Sequence, residues 1–421
     1  MQKNRVSKAS LLIAAAAVAA VSASVAQADV IISSFSPGDL VVLRGGDATN
    51  PDNTFSSNQV SVYLDEYTTA GSYVGTIDVP SSGGSALTIP SIGDFEHQGV
   101  LNLSTNGNLL TFAGYQAAAG SADADAQTTT GYQPVVGVIG STASSLSTNT
   151  LVNSYGATSP SASPYIRGAF TNDGNEFWTF GKFPASGATS NGGLAYVSGS
   201  GPTATTTTVE GFADWRDIIA VNGQLYGGTG SSSVGAHGPY QVSTGEPTTN
   251  LGNSMTNNTQ IGNYPGGQSA SAIALLNLPG NPNSINGVNT LYSIGDQDTP
   301  GIVKYSYNGT AWVNDGLNVA LNAANNVVNP TGLIAVADPS DPNDVDLTVS
   351  GSNGIYTYDD TNGPTGAIPA NAFTDLVSPS SNEAFYGIAV APTAAVPEPA
   401  SIGLLTLSAA GLLVRRKRRI V

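Results

Sequence analysis

The chain contains no cysteine, so disulfide bonds and thiol chemistry are excluded. Only two residues, His97 and His237, are histidine, and neither stands beside an evident nucleophile motif. An HExxH zinc motif, a phosphate-binding loop and a dinucleotide fingerprint are also missing. These absences argue against the commonest classes of hydrolase and of nucleotide-binding protein. We interpret both histidines as exposed or turn-capping residues.

Basic residues are scarce as well, at 13 Lys and Arg against 29 Asp and Glu. Eight of the 13 basic residues lie near the two ends of the chain, and Glu398 is the one acid beyond residue 396. Residues 29–396 therefore hold 28 acids and five bases, which gives a net charge near −23. Such a surface repels nucleic acid and anionic lipid, so we expect no nucleic-acid partner. The five bases are Arg44, Arg167, Lys182, Arg216 and Lys304.

The N-terminus has the three parts of a secretory signal peptide. Basic residues lie within the first eight positions, a largely apolar stretch follows over residues 11–25, and Ala26 and Ala28 form a small-residue cleavage site. This order predicts residues 1–28 as a signal peptide that is cleaved before Asp29.

The C-terminus also has three parts. Val396, Pro397, Glu398 and Pro399 precede an uncharged run, Ala400–Val414, of 15 residues. The run is shorter than the roughly 20 residues of a full transmembrane helix, but flanking residues can help it to span. A basic cluster follows, which by the positive-inside rule holds this end in the cytoplasm and the body outside. The cluster is Arg415, Arg416, Lys417, Arg418 and Arg419.

Residues 395–421 resemble the PEP-CTERM sorting signal of Gram-negative bacteria. The resemblance implies recognition by an exosortase-type membrane protease, cleavage near Pro-Glu-Pro, and release or transfer to the cell surface. It also implies that the chain meets the membrane only through this segment, before processing. An ordinary tail anchor is the alternative.

The body, residues 29–394, shows no long helical periodicity. Short Val, Ile, Leu, Tyr and Thr runs alternate with Gly, Asn, Asp, Ser and Pro clusters, which indicates an all-β fold. One unit recurs five times: an apolar strand, a polar turn and a second strand that ends in glycine. The second strands are predicted to begin near Leu109, Phe177, Leu225, Leu291 and Leu347.

Two half-units remain at the ends of the body. Asp39–Gly46 resembles a second strand without a first, and Phe385–Pro392 resembles a first strand without a second. Paired, they form a sixth unit from opposite ends of the chain, as when a β-propeller closes its ring. We therefore predict a six-bladed β-propeller. Five or seven blades stay open as variants, and another repeat β architecture, a β-sandwich pair or a β-helix, is the alternative.

Two parts of the body resemble known groups. Asp338–Asp360 resembles the Asp-Pro turn and Gly-Ile-Tyr strand of sortilin- and Asp-box-like propellers. The first strands, with "VLNLSTNGNLLTFAG", resemble uncharacterised secreted bacterial proteins with propeller-like bodies. These resemblances support the fold and imply no activity.

Acidic and aromatic side chains are the remaining candidates for a site. Cleavage of a glycan in a central funnel would need two carboxylates facing one sugar, and linear spacing cannot show which ones converge. Tryptophans could stack on sugars, but they stand at strand positions where core packing is usual. The carboxylates are Asp173, Glu176, Asp214, Asp217, Asp296 and Asp298, and the tryptophans are Trp178, Trp215 and Trp312.

The stretch "DPSDPNDVD" (338–346) concentrates the oxygen ligands that Ca²⁺ prefers. Calcium is the one cofactor that the sequence suggests. Two prolines stiffen the stretch and no bidentate glutamate follows, so it is not an EF-hand. A tight turn with Asp and Asn as turn formers explains it equally well. The candidate ligands are Asp341, Asn343, Asp344 and Asp346.

The sequence thus predicts an exported cell-surface or extracellular-matrix protein, and a non-catalytic role fits its residues better than an enzymatic one. Proteins with a PEP-CTERM signal accompany exopolysaccharide production, so the resemblance implies an extracellular polysaccharide as a partner. The alternative is a glycan-active propeller enzyme, a hydrolase or a lyase.

Overall fold

The computed structural model describes residues 29–48, 58–91, 98–122, 132–153, 166–182, 193–211, 213–230, 237–252, 254–265, 269–295, 301–318, 327–370 and 373–394. The predicted signal peptide and residues 395–421 lie outside this part of the chain. In chain order the strands are β1 (Leu40–Gly46), β2 (Gln59–Val60), β3 (Val62–Tyr67), β4 (Tyr73–Asp78), β5 (Ile89–Pro90), β6 (Asn102–Leu103), β7 (Leu110–Gln116), β8 (Gln133–Ile139), β9 (Ser147–Leu151), β10 (Ile166–Thr171), β11 (Glu176–Gly181), β12 (Leu194–Ser198), β13 (Thr205–Glu210), β14 (Trp215–Val221), β15 (Gln224–Thr229), β16 (Gly238–Gln241), β17 (Thr259–Gln260), β18 (Ala270–Leu276), β19 (Thr290–Gly295), β20 (Ile302–Tyr307), β21 (Trp312–Asn318), β22 (Gly332–Ala337), β23 (Val345–Gly351), β24 (Gly354–Asp360), β25 (Thr374–Val377) and β26 (Glu383–Val390). Short 3₁₀ turns cover Gly83–Ser85, Ala143–Ser145, Gly201–Thr203 and Met255–Asn257.

The strands form six four-stranded antiparallel sheets, and β2 pairs separately with β5. The first strand of each sheet contacts the first strand of the next, so that six inner strands close a ring. The fold is therefore a six-bladed β-propeller, as predicted. From the centre outward the blades are β26-β1-β3-β4 (blade 1), β6-β7-β8-β9 (blade 2), β10-β11-β12-β13 (blade 3), β14-β15-β16-β17 (blade 4), β18-β19-β20-β21 (blade 5) and β22-β23-β24-β25 (blade 6).

Blade 1 closes the ring by joining the two ends of the body. Its inner strand β26 pairs antiparallel with β1, in a register that runs from Leu40 opposite Val390 to Gly46 opposite Glu383. The two predicted half-units thus form one sheet. At the seam with blade 2, the Gly387 N–H donates to the Gly99 carbonyl oxygen at 2.9 Å. A Cβ at Gly387 would overlap the backbone nitrogen of Leu101, so this close approach requires glycine.

The hydrophobic cores lie between neighbouring blades. Between blades 3 and 4, for example, Phe170 and Trp178 pack in one cluster with Trp215 and Leu225. Trp178 and Trp215 are 1% and 0% exposed. Because each blade presents alternate side chains to its two neighbours, removal of one blade would expose two such clusters.

The first described residues cover the outer edge of blade 1. The Ile32 N–H donates to the Thr76 carbonyl at 2.9 Å, and the Thr76 N–H donates to the Val30 carbonyl at 2.8 Å. The Phe35 N–H then reaches Ser141 of blade 2 at 2.9 Å. Covering β4 in this way removes an exposed sheet edge.

Among the described residues, no helix is long and apolar enough to cross a membrane. The run Ala400–Val414 lies outside those residues, so its transmembrane helix stays a prediction.

Candidate functional site

The six inner strands surround a central cavity of about 450 Å³, and every blade contributes to its wall. Thr105 and Asn222 lie where the inner strands of blades 2 and 4 turn back, so the cavity reaches the face of the ring that carries these turns. Its wall is mixed. Aliphatic side chains such as Leu101, Ile273 and Leu333 alternate with polar residues, which are Asn102, Ser104, Thr105, Asp217, Asn222 and Thr331.

Asp217 is the one ionisable side chain among the described residues that line the cavity. It lies on β14, where an extra residue interrupts the ladder between Trp215 and Asp217. Blades 3 and 5 have the same irregularity, just before Gly168 and Ala272. Such bulges redirect the side chains beside them. Blade 4 therefore places a carboxylate where its two neighbours have the smallest side chains.

The Asp217 carboxylate links two inner strands. Its Oδ2 accepts a hydrogen bond from the Ile273 N–H of blade 5 at 3.0 Å. The residue is 3% exposed. Burial raises the pKa of Asp217 to about 6, and the Ile273 N–H, the Asn102 side chain and the Ile218 N–H oppose that rise. Near neutral pH the cavity therefore holds one negative charge that is poorly solvated.

Asn102 ties three blades together in the same wall. Its Nδ2 donates to the Ala169 carbonyl of blade 3 at 3.2 Å and to the Ile218 carbonyl of blade 4 at 3.1 Å. Thr111 also donates to the Ala169 carbonyl, at 2.8 Å. Both backbone carbonyls thus accept from the Asn102 amide, and the same side chain also lies close enough to Asp217 to lower the pKa of that carboxylate.

Of the other predicted carboxylates, the three that the structure describes do not join Asp217 in the cavity wall. Asp173 and Glu176 are exposed at the β10–β11 turn. Asp214 accepts a hydrogen bond from Arg167 and lies 3.5 Å from Arg216. Burial opposes its ionisation, but the two arginines outweigh burial and hold the pKa of Asp214 below its ordinary value.

Asp296 and Asp298 lie outside the described residues, as does His97. His237 is half-buried beside β16, and its carbonyl accepts from the Tyr264 N–H at 2.9 Å. Of the three tryptophans, Trp178 and Trp215 belong to the core. Trp312 is half-buried against Tyr307, with ring centroids 5.7 Å apart.

The acidic stretch 338–346 forms the turn between β22 and β23. The Asn343 N–H donates to Asp341 Oδ1 at 3.1 Å, and the Asp344 N–H donates to the Asp341 carbonyl at 2.9 Å. Asp346 lies further on, opposite Asp359 of β24. In the part of the chain that the structure describes, no three His, Asp or Glu side chains are grouped to hold a metal ion. Calcium binding at the four named residues stays a prediction.

Residues 395–419 match the family model described as the PEP-CTERM protein-sorting motif. The tail is a PEP-CTERM sorting motif. The motif implies export and processing by an exosortase, a membrane protease. Val396 to Pro399 and the basic residues 415–419 all fall within the match.

No curated protein matches this sequence. Among solved structures, a periplasmic gluconolactonase from Pseudomonas aeruginosa is 10% identical, with a TM-score of 0.40 over 84% of this chain and 99% of that one. A GH74 enzyme from Niastella koreensis is 12% identical, with a TM-score of 0.39 over 82% of this chain and 46% of its own. At these values the comparison carries no inference about activity.

Sequence reasoning named Asp217 among six carboxylates but missed Asn102 and Thr331, which also line the cavity. The available signal was the repeat itself, because the first strand of each unit becomes an inner strand. Which residues of those strands face the cavity depends on the bulges, and the sequence does not reveal them.

Proposed function

We propose that the mature protein is a non-catalytic component of the cell surface or extracellular matrix, and that divalent cations join its acidic exterior to extracellular polysaccharide. The observation that carries this proposal is the separation of charge between the interior and the surface.

The few cations of the body are mostly inside. Arg44, Arg167, Arg216 and Lys304 are 2%, 0%, 3% and 0% exposed. Each has a carboxylate partner: Arg44 pairs with Asp29, Asp65 and Glu383, both Arg167 and Arg216 pair with Asp214, and Lys304 pairs with Asp360. Lys182 is half-buried.

The exposed charges of the described residues are therefore overwhelmingly negative. Asp346 and Asp359 are both exposed and stand opposite each other on β23 and β24. Burial, followed by Asp338, Asp359 and Asp344, raises the pKa of Asp346. A divalent cation would relieve this repulsion between carboxylates. The exposed acids include Asp78, Asp173, Glu176, Asp341, Asp346, Asp359 and Asp375.

The cavity gives less support to the alternative, a glycan-active enzyme. Glycoside hydrolysis generally uses two carboxylates about 5–9.5 Å apart. The described wall has Asp217 alone, with Oδ2 already bound to the Ile273 N–H.

Retention of the mature protein on the producer's own exopolysaccharide tests the proposal. We expect retention with Ca²⁺, and loss of retention on addition of a chelator or high salt. The variant D341N/D346N/D359N should bind less, whereas D217N removes a buried charge and should bind as the wild type does. Absence of retention with Ca²⁺ present, or equal retention of both variants, would refute the cation bridge. Turnover on a panel of polysaccharides would replace the non-catalytic role with the enzyme.

The intact mass of the native protein tests processing separately. We expect a chain that begins at Asp29 and ends near Pro-Glu-Pro. Retention of Arg415–Arg419 in the mature protein would refute sorting by cleavage, whatever the outcome with polysaccharide.

A further inference from the structure

Lys304 differs in kind from the other buried cations of the ring. Among the described residues, the other three, Arg44, Arg167 and Arg216, are arginines. Arginine is the usual choice for a buried ion pair, because its guanidinium is always charged and binds carboxylates as a fork. A buried lysine can lose its proton, and its neutral amine is then a nucleophile. Lysine at this position therefore permits a reaction that arginine would not.

Lys304 meets its carboxylate partner at the seam between blades 5 and 6. Its Nζ lies 2.7 Å from Asp360 Oδ2, and both side chains are 0% exposed. Because Oδ2 is bonded to Cγ, Nζ is close to the separation from that carbon, roughly 3–3.5 Å, at which bound reactants attack each other. The Tyr292 hydroxyl donates to the same Oδ2 at 2.7 Å, and Lys304 Nζ also donates to the Gly363 carbonyl. Both reacting groups are thus held in place.

The surroundings of this pair exclude water. Lys304 Nζ lies 5.8 Å from the centre of the Tyr292 ring, and Asp360 stands opposite Val345 of β23. Tyr292 and Val345 belong to one apolar cluster with Tyr358. Away from water, desolvation disfavours two opposite charges and favours the neutral amine and carboxylic acid that one proton transfer gives. A dry interior also protects a product from hydrolysis.

A third carboxyl group can relay the protons of such a reaction. Asp315 of β21 lies where the ladder shifts beside Lys304, and its Oδ2 is buried with no hydrogen-bond partner among the described residues. Burial raises the pKa of Asp315, Ser306 and Lys304 oppose the rise, and Asp360 adds to it. Asp315 thus interacts with both members of the pair. A carboxyl group whose pKa is raised toward neutrality is suited to accept and return a proton.

We propose that Lys304 and Asp360 condense into an intramolecular amide that joins blades 5 and 6. The neutral Lys304 amine attacks Asp360 Cγ and forms the C–N bond. A C–O bond breaks, and its oxygen leaves as water with two of the three protons of the original ammonium. Asp315 takes one of these protons from the nitrogen, gives it to the leaving oxygen and ends unchanged. No other reactant is consumed, and the amide closes a loop of the chain as a disulfide would, in a protein without cysteine.

Mass spectrometry of one defined peptide of the native mature protein tests the proposal. Cleavage after glutamate should release residues 247–383 as one peptide, because no glutamate lies between Glu246 and Glu383, and Lys304 is the one basic residue within it. We expect a mass about 18 Da below that of the sequence, which is the mass of one water. The peptide should also resist trypsin, which does not cleave after an acylated lysine. In Lys304→Arg, the peptide should have its full mass and be cut once by trypsin.

A full mass together with trypsin cleavage at Lys304 in the wild type would show an ion pair alone and overturn the proposal. A loss of about 18 Da with that cleavage retained would place the lost water elsewhere, as in a succinimide, and would overturn it too. If a variant does not fold, the wild-type peptide still decides. Asp315→Ala should give a mixture of the two masses, and complete formation of the amide in this variant would refute the relay by Asp315.

Discussion

One buried arginine, Arg44, adds a charge network to the β1–β26 pairing that closes the ring, and its replacement tests how much that network contributes. Arg44 of β1 donates from Nε to Asp65 of β3 at 2.6 Å and from Nη1 to Glu383 of β26 at 2.9 Å. Its Nη2 lies 3.2 Å from both carboxylate oxygens of Asp29, the predicted first residue of the mature chain. One guanidinium thus connects the two ends of the body, and Glu383 is 339 residues from it in sequence.

Arg44→Met should destabilise the protein strongly. Asp65 is 2% exposed, and burial already raises its pKa even with Arg44 beside it. Removing one partner of a buried ion pair typically costs about 3–5 kcal/mol, because the other charge stays buried without compensation. At about 2.1 cal/mol/K of unfolding entropy per residue, a body of roughly 370 residues should lose about 4–6 °C in Tm. The loss should be smaller at pH 5 than at pH 8, since Asp65 can then bind a proton.

Thermal unfolding measures this loss, and amide hydrogen exchange locates it. In Arg44→Met, exchange should increase in β1 and β26, because these strands lose their shared charge. Lys304→Met is the matched control: Lys304 and Asp360 lie 2.7 Å apart and are both 0% exposed in their side chains, but they join blades 5 and 6. It should lower Tm by at least as much and leave exchange in β26 unchanged. A fall in Tm below about 1 °C for Arg44→Met, or an unchanged β26, would refute the closing role.

Three further changes test the inner ring. Gly387→Ala should lower the free energy of chemical unfolding by about 1–3 kcal/mol, because its Cβ would overlap the Leu101 nitrogen. Gly84→Ala is the control and should change this free energy little, because a Cβ there meets nothing within 4 Å. Asn102→Ala should cost about 1–3 kcal/mol, since the Ile218 carbonyl loses the Asn102 donor while the Ala169 carbonyl keeps Thr111. An unchanged midpoint would show that water replaces the amide. Asp217→Asn should remove part of the pH dependence of stability. Burial raises the folded-state pKa of Asp217 to about 6, so the wild type should lose about 3 kcal/mol of stability as the pH rises from about 4 to 6. The variant has no carboxyl group at this position and should not show this loss.

Much of the fold was predictable because local sequence patterns define its strands. The predicted starts of the second strands at Phe177, Leu225 and Leu291 each fall within one residue of the observed starts of β11, β15 and β19. Glycine-bounded apolar runs define such strands without knowledge of their partners. The split blade was predictable for the same reason, since an incomplete unit at each end has one way to be completed.

The cavity wall was less predictable, because strand register and ring closure decide which residues line it. Asp217 enters the cavity wall beside a bulge, and a shift of one residue would have turned it to the other face of the sheet. Asn102 acts across three blades, and its carbonyl partners on Ala169 and Ile218 are backbone atoms that carry no sequence signal. Core packing, which the strand positions favoured over sugar stacking, is confirmed for Trp178 and Trp215, because neighbouring blades bury these side chains between them.

Buried ion pairs join the ends and the blades of this ring, which has no cysteine with which to form disulfide bonds. An exported ring must hold its two ends together, and many exported proteins use disulfides for this purpose. Here a charge network does so at Arg44, and the pairs Arg167–Asp214 and Lys304–Asp360 join neighbouring blades. Loss of Arg44 or Lys304 would leave a buried carboxylate, Asp65 or Asp360, without its cation. Asp214 would keep Arg216 if Arg167 were lost. The exterior carries the acids that these pairs do not use, and their replacement leaves no buried charge without a partner. Substitution of exposed acids should therefore change binding while leaving the fold intact.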